Sequence, residues 1–369
     1  MNTFLKMSPK ERRLACLQVE ERLRLQAASV EKDFWVCWTL RELFSLTGIG
    51  PHLTFKGGTS LSKAWKLIER FSEDIDLIVD KHILGFGGDA SPDQAPSKKK
   101  RKLRLEALMD ACRRWVQGTL QPALADRISD ALGNSGWKLE LDPDMDDGQC
   151  LLFHYPGDFA PTDAGYVRPV VKIELGARSD DWPHQGKTIQ PYLAEIFPQL
   201  TTDAAFSVCV LDAERTFWEK ACLLHEETFR PADKPRKLRM ARHYYDLWCL
   251  ITRGVAERAA KDRALFDRVA AHREIFFRWS WVDYATLYPG GLRFVPLAHQ
   301  LDGWRKDYQE MRGHMFFGEV PTFDEILRVV GEFEQQFNHR QIRGRGAYSD
   351  RQTQKPTGVG FVGSVFVKG

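Results

Sequence analysis

The chain has 369 residues, 43% of them hydrophobic, with 53 basic against 50 acidic side chains and a formal charge of +3. That is enough apolar material for a large core in two domains or in one domain with a lobe, and it excludes a globally basic nucleic-acid coat, so any such surface has to be local. Seven cysteines, an odd number without paired metal-ligand spacing, point to a reducing compartment rather than to a disulfide framework.

The N-terminal stretch MNTFLKMSPKERRLACLQ lacks the apolar run of a signal peptide, and no segment reaches membrane-spanning length, so a soluble cytoplasmic protein is expected. Residues 8–47 read as helices. Ser8-Pro9-Lys10-Glu11 supplies a cap followed by proline at the first helical position. Val30-Glu31-Lys32-Asp33 leads a second helix whose Phe34, Trp35, Cys37, Trp38, Leu40 and Leu43 should pack it beside a sheet. Lys32 and Asp33 read as residues of the helix start, where acids are favoured.

The most informative stretch is FKGGTSLSKAWKLIERFSEDIDLIV, residues 55–79. His52 to Lys56 has strand composition, and Gly57-Gly58 lets the backbone adopt a positive φ or approach a ligand closely. Thr59 or Ser60 is a suitable cap for a helix in which Leu61, Ala64, Trp65 and Ile68 share one face. Such a start presents free N–H groups to phosphate, and Lys63 could add a point charge. In the strand that follows, Asp74 and Asp76 are two residues apart and point the same way. Carboxylates held side by side repel unless cations sit between them, and magnesium is the expected partner.

Residues 85–102 read as a mobile loop ending in KKKRK, either a phosphate-binding run or the solvated start of the next helix, Leu103–Leu132. Trp137–Leu141 and Cys150–Tyr155 read as strands joined by an acidic hairpin loop, which lacks the closing glutamate of a calcium loop. In Val170–Leu175, alternation sets Lys172 and Glu174 on one face and Val171, Ile173 and Leu175 on the other. Glu174 is therefore the candidate third carboxylate, and the three together could hold two metals across the attacking and leaving oxygens of a phosphoryl transfer. Lys187–Leu193 and Phe206–Leu211 read as edge strands.

From Asp212 the composition turns helical. One helix starts at Asp212-Ala213-Glu214-Arg215 and contains Lys220; a second, Lys237–Ile251, contains Asp246; spacing alone makes these two an interhelical ion pair. Beyond Val255 the chain reads as helical with an aromatic cluster, Phe276 to Tyr288, expected to be core.

The GGTSLSK turn, the RFSEDIDL strand and the KIELGAR strand resemble the nucleotidyltransferase superfamily of DNA polymerase β type. The KDFWV segment at 32–36 and the later FWEKACLLHEE and ARHYYDLW stretches resemble more closely the AbiEii/AbiGii toxin group, part of type IV toxin–antitoxin and abortive-infection phage-defence systems, over roughly residues 28–338. The resemblance implies an NTP substrate, transfer of NMP to an acceptor hydroxyl such as the 3′ end of tRNA with arrest of translation, and a cognate antitoxin. It also implies that a lysine and an aspartate of the two later helices complete the active site, and Lys220 and Asp246 are the matching positions. A lysine there would neutralise triphosphate charge; the aspartate would orient it or assist deprotonation of the acceptor. His243, where the family often has an acid after a base, is a departure and reads as a helix-surface histidine.

The reading is an α/β (α+β) protein: a polymerase β-type nucleotidyltransferase core with N-terminal helices over residues 1–211, a helical domain over 212–342 and a flexible tail over 343–369. Asp74, Asp76 and Glu174 are the metal ligands, for two magnesium ions; Gly57, Gly58, Thr59, Ser60 and Lys63 bind the nucleotide; Lys220 and Asp246 complete the catalytic set. Nucleotidylation of a protein is the alternative acceptor chemistry, and an inactive nucleotide- or RNA-binding module the alternative class. Adjacent like charges give a merely structural strand no benefit, which argues against the latter.

Overall fold

A computed structural model describes residues 1–159, 168–200, 204–312, 315–316 and 320–349. Helix α1 (Asn2–Leu5) precedes α2 (Pro9–Leu23), whose start is a reciprocal cap: Glu11 N–H donates to the Ser8 hydroxyl, and Ser8 N–H donates to the Glu11 carboxylate at 2.8 Å. Helix α3 (Ala27–Ser45) is buried on nearly every side. Its indoles explain why. Trp35 stacks on Tyr155 at 5.3 Å and meets Trp38 edge-on at 5.5 Å, and both rings lie against Phe153 of the sheet.

The chain then builds β1 (Leu53–Lys56), α4 (Gly57–Lys63), β2 (Ile75–Val79), α5 (Lys98–Trp115), α6 (Gln121–Leu132), β3 (Lys138–Leu141), β4 (Cys150–His154), β5 (Val170–Gly176), β6 (His184–Ile189), α7 (Tyr192–Ile196) and β7 (Phe206–Leu211). The strands form one mixed sheet of order β3-β4-β5-β2-β1-β7-β6, in which β2 is parallel to β5 and antiparallel to β1, and β1 is parallel to β7. Strand alternation sorts the side chains. Phe55, Ile75, Leu77, Val171, Ile173 and Val210 join the core shared with α3, whereas Lys56, Asp76, Lys172 and Glu174 stand on the opposite face.

The remaining helices are α8 (Ala213–Thr228), α9 (Arg242–Thr252), α10 (Val255–Lys261), α11 (Arg263–Phe276), α12 (Leu301–Arg312) and α13 (Phe323–Ser349). They enclose a second core around Trp218, Tyr244, Phe266, Trp304 and Phe337. Leu61 and Ile68, from the segment between the glycine turn and β2, insert into this second core. The connection from the glycine turn to the aspartate strand is thus packed on the helical lobe.

Several local expectations are corrected. Lys32 and Asp33 lie inside α3, which starts at Ala27, and both are buried. Residues 85–102 contain two 3₁₀ turns, Gly88–Ala90 and Pro92–Gln94, tied down by Arg104, which donates to the carbonyls of Asp89 and Ser91 at 2.7 and 2.9 Å. The KKKRK run is the exposed first turn of α5, capped by Ser97. Phe206–Leu211 is an interior strand between β1 and β6. The helix bearing Asp246 begins at Arg242 rather than Lys237: Asp307 accepts the N–H groups of Arg239 and Ala241 at 2.6 and 2.7 Å and holds Arg239 at φ 63°. Of the expected core aromatics, Phe276 and Tyr284 are buried, but Trp279 is 43% exposed and stacked on Trp281. Helix α13 continues through residues 343–349, and the rest of the expected tail, 350–369, lies outside the described residues. All seven cysteines are free thiols, with Cys37, Cys222 and Cys249 in the cores. Among the described residues no helix is long and apolar enough to cross a membrane.

Candidate active site

β1 passes directly into α4 at Gly57, which has φ 80°; a Cβ there would lie 2.1 Å from Oδ2 of Asp76. Glycine is what lets the carboxylate nest against the turn. A Cβ on Gly58 would lie 2.4 Å from Nη2 of Arg70, so the next position is equally closed to side chains. The helix opens at Gly57 and not at a hydroxyl cap. Instead, the Thr59 hydroxyl donates to the carbonyl of Asp74 at 2.6 Å and the Ser60 hydroxyl to the carbonyl of Gly57 at 2.9 Å, both from buried positions. The first ties the turn to the aspartate strand, and the second closes the turn on itself. Gly57→Ala is expected to displace Asp76 and to cost about 1–3 kcal/mol of stability through its positive φ, a loss that a thermal melt would register beside a lowered transfer rate.

α4 stops at Lys63, shorter than the apolar periodicity predicts, because Lys66 turns to φ 53° and Leu67 N–H closes back on the Leu61 carbonyl at 2.9 Å. Lys63 itself is buried and spoken for. Its ammonium sits 2.7 Å from Oδ1 of Asp33 and 3.6 Å above the Tyr192 ring. Burial disfavours its charge, but Asp33 more than offsets that and raises its pKa. Lys63 therefore ties α4 to α3 rather than standing free at the turn.

Asp76 of β2 is the register partner of Glu174 on the parallel neighbour β5 and of Lys56 on β1, so all three side chains share one face. Asp74 precedes β2 by one residue and is electrostatically coupled to both acids. Burial first, then the charge of Glu174 and Asp74, pushes the Asp76 carboxyl up to about 7 against the opposing fields of Lys56 and Arg242. Asp74 is likewise raised, by burial, Glu73 and Glu174. The nearby cations do not cure this. Lys172 lies between Glu174 at 3.1 Å and Asp142 at 3.3 Å, Lys32 is bound to Glu73 at 2.6 Å, and Lys56 donates to the Ser179 hydroxyl at 2.8 Å.

Across from this face, α8 and α9 hold a buried knot. Asp246, fully buried, accepts Nε and Nη2 of Arg70 at 2.7 and 2.8 Å, and its Oδ2 lies 2.9 Å from the ammonium of Lys220. Burial would raise its pKa, yet the two cations together hold it well below the usual carboxylate range. One carboxylate shared by two cations leaves Lys220 under-compensated: burial, and then Arg70, lower its pKa against the pull of Asp246. His243 is half-buried and not freely exposed on the helix surface. Its Nδ1 lies 3.4 Å from the Lys220 ammonium, and burial with the charges of Lys220 and Arg242 pushes its pKa far down, so it is neutral and accepts from the lysine.

The structure thus places Asp76 and Glu174 side by side with Asp74 at the strand's mouth, and Lys220 against Asp246. It buries Thr59, Ser60 and Lys63 in structural bonds. As cation ligands the three acids fit chemically: the Asp74 and Asp76 carboxyls are raised and short of positive charge, and Glu174 adds a third carboxylate in register with Asp76. Among the described residues, however, no three His, Cys, Asp or Glu side chains already converge as a ligand cluster, and Glu174 is turned toward Lys172. Arg70 and Arg242 went unassigned in the sequence reading. Arg70 lies within the RFSEDIDL stretch, a charged residue between Ile68 and Phe71, and that interruption of an apolar run was the signal available.

Carboxylates crowded on one sheet face, a glycine turn that admits one of them and a buried lysine of lowered pKa are kinds of group that phosphoryl transfer uses. The family model described as "Nucleotidyl transferase AbiEii toxin, Type IV TA system" matches residues 38–329, most of the chain, and the chain belongs to this family of nucleotidyltransferase toxins. Membership carries with it an NTP substrate and an antitoxin partner. Among solved structures the chain is similar to the nucleotidyltransferase toxin MenT4 from Mycobacterium tuberculosis H37Rv, at 16% identity and a TM-score of 0.46, over 93% of this chain and 97% of that one. No curated protein matches the chain.

Proposed function

We propose that the chain transfers NMP from an NTP to an acceptor hydroxyl, with the 3′-terminal ribose of tRNA as acceptor and arrested translation as the outcome. The observation that carries the reading is the acidic face itself: Asp76 and Glu174 in register, with Asp74 beside them, and neither aspartate in an ion pair among the described residues. The acceptor oxygen forms a bond to the α-phosphorus as the bond to the β-bridging oxygen breaks; pyrophosphate departs, and the hydroxyl proton leaves to solvent or a nearby base. Asp74, Asp76 and Glu174 are the residues that would hold divalent cations, magnesium by donor chemistry. When bound, these supply charge neutralisation of the phosphates and polarise the α-phosphorus.

Lys220, its pKa lowered by burial and Arg70, is the residue that would give positive charge, and finally a proton, to the departing pyrophosphate. Asp246 acts as its orienter. A carboxylate fully buried between two cations is no base for an external hydroxyl, so the deprotonation role considered for Asp246 is dropped. The Gly57-Gly58 turn leaves room for the Asp76 carboxylate and the Arg70 guanidinium where side chains would otherwise stand.

Purified protein incubated with each labelled NTP, total tRNA and cell extract tests the reading. Label on the tRNA 3′ end is the expected result. Label in protein with none in RNA would reassign the acceptor to a protein hydroxyl, and no label anywhere with retained NTP binding would favour an inactive binding module.

A further inference from the structure

We infer that Arg242 is the side chain that grips the polyphosphate of the incoming nucleotide, an inference that rests on the transfer reading above. A triphosphate laid against Asp74, Asp76 and Glu174 adds negative charge to a face that is already acidic, so binding needs a cation not committed elsewhere. Most basic groups around the site are committed. Lys220 and Arg70 share Asp246, Lys172 bridges Glu174 and Asp142, Lys63 is held by Asp33 and Lys32 by Glu73. Lys56 is engaged by the Ser179 hydroxyl beside Asp76.

Arg242, like Lys56, stands outside these ion pairs, but among the described residues it donates to no side chain. It forms no ion pair among the described residues, and its Nη1 donates to the main-chain carbonyl of Arg239 at 3.0 Å. It opens α9 four residues before Asp246, which sets both on the same side of that helix. Asp246 is fully buried there, whereas Arg242 is half-buried, so the guanidinium extends the line of positive charge from the knot outward. It is electrostatically coupled to Asp74 and to Asp76, the acids the nucleotide must approach. A half-buried guanidinium without a carboxylate costs stability while it waits for an anion. Its planar fork matches two phosphate oxygens at once, which an ammonium does not.

The test compares equilibrium binding of NTP, NMP and inorganic pyrophosphate to wild-type protein, Arg242→Gln and Arg242→Lys. Arg242→Gln is expected to weaken NTP and pyrophosphate binding by roughly ten- to a hundred-fold, the scale of a lost charged hydrogen bond, with NMP affinity nearly unchanged. The lysine variant should recover part of that loss, and if the glutamine variant fails to fold the lysine variant alone carries the comparison. A melting temperature of Arg242→Gln equal to or above wild type separates a ligand contact from a structural one. Equal losses for NMP and NTP, or unchanged NTP and pyrophosphate affinity, would overturn the assignment. Wild-type protein that binds NTP and labels no acceptor would sink the transfer reading instead, while the difference between NTP and NMP binding would still report on Arg242.

Discussion

Asp76→Asn should abolish NMP transfer, by about three orders of magnitude or more if one preorganised electrostatic contact is worth what it is elsewhere, and should at the same time leave the protein at least as stable at pH 8. The second half follows from linkage. In the unfolded chain the carboxyl titrates near its ordinary value, about 3.9, whereas burial beside Glu174 and Asp74 lifts it to about 7 in the folded protein. Below about pH 4 the group is protonated in both states and costs nothing. As pH rises from there toward 7 the unfolded state ionises first, so the folded state loses stability over that window, and above it the loss is fully present, on the order of a few kcal/mol. The amide variant removes this loss. Its stability should therefore be flatter between about pH 4 and 7 than that of wild type. Thermal melts across pH for the two proteins check this; an Asn variant that melts well below wild type at pH 8 would mean the carboxylate is held by favourable contacts and is not a strained ligand.

The largest stability effect is expected at the buried knot around Asp246. Asp246→Ala leaves Arg70 and Lys220 as two buried cations with no counter-ion, and breaking a buried pair from one side costs about 3–5 kcal/mol. The loss should be concentrated where the segment carrying Arg70 meets the helical lobe, since Phe71 N–H also bonds the Met315 carbonyl at 2.6 Å and Ile68 inserts into the second core. Lys220→Met separates structure from chemistry. It leaves the bidentate Arg70–Asp246 pair in place, so the protein should melt near wild type while transfer falls by at least about a hundred-fold. Should Lys220→Met transfer at the wild-type rate, the lysine is a packing residue. Should Asp246→Ala melt with wild type, the knot contributes little.

How much of this was legible from residues alone depends on whether the signal was local. The D-x-D pair and the apolar alternation around Glu174 each fix a face by strand geometry, and the glycine pair marks a turn that a side chain would block. A sequence can show such features because each lies within a few residues. The order of the strands is not local: that Phe206–Leu211 is interior follows from its parallel pairing with β1, residues distant in the chain. Partnerships across elements were hidden for the same reason. Nothing near Lys63 announces that Asp33 claims it, and nothing near Asp246 announces a bidentate arginine from residue 70. The helix boundaries that moved, at Lys63 and at Arg242, were set by a left-handed lysine and by a distant aspartate, Asp307, that captures two main-chain donors. Propensity carried no sign of either.

The central claim is that the acidic face formed by Asp74, Asp76 and Glu174 is built to receive divalent cations with the nucleotide. Titration of Mg²⁺ or Mn²⁺ into the protein in the presence of NTP, followed by calorimetry or by the Mn²⁺ resonance, tests it most directly. Saturable binding by wild-type protein that is lost in Asp76→Asn is the expected result; cation binding of equal affinity in both proteins would show that the acidic face is not the cation site.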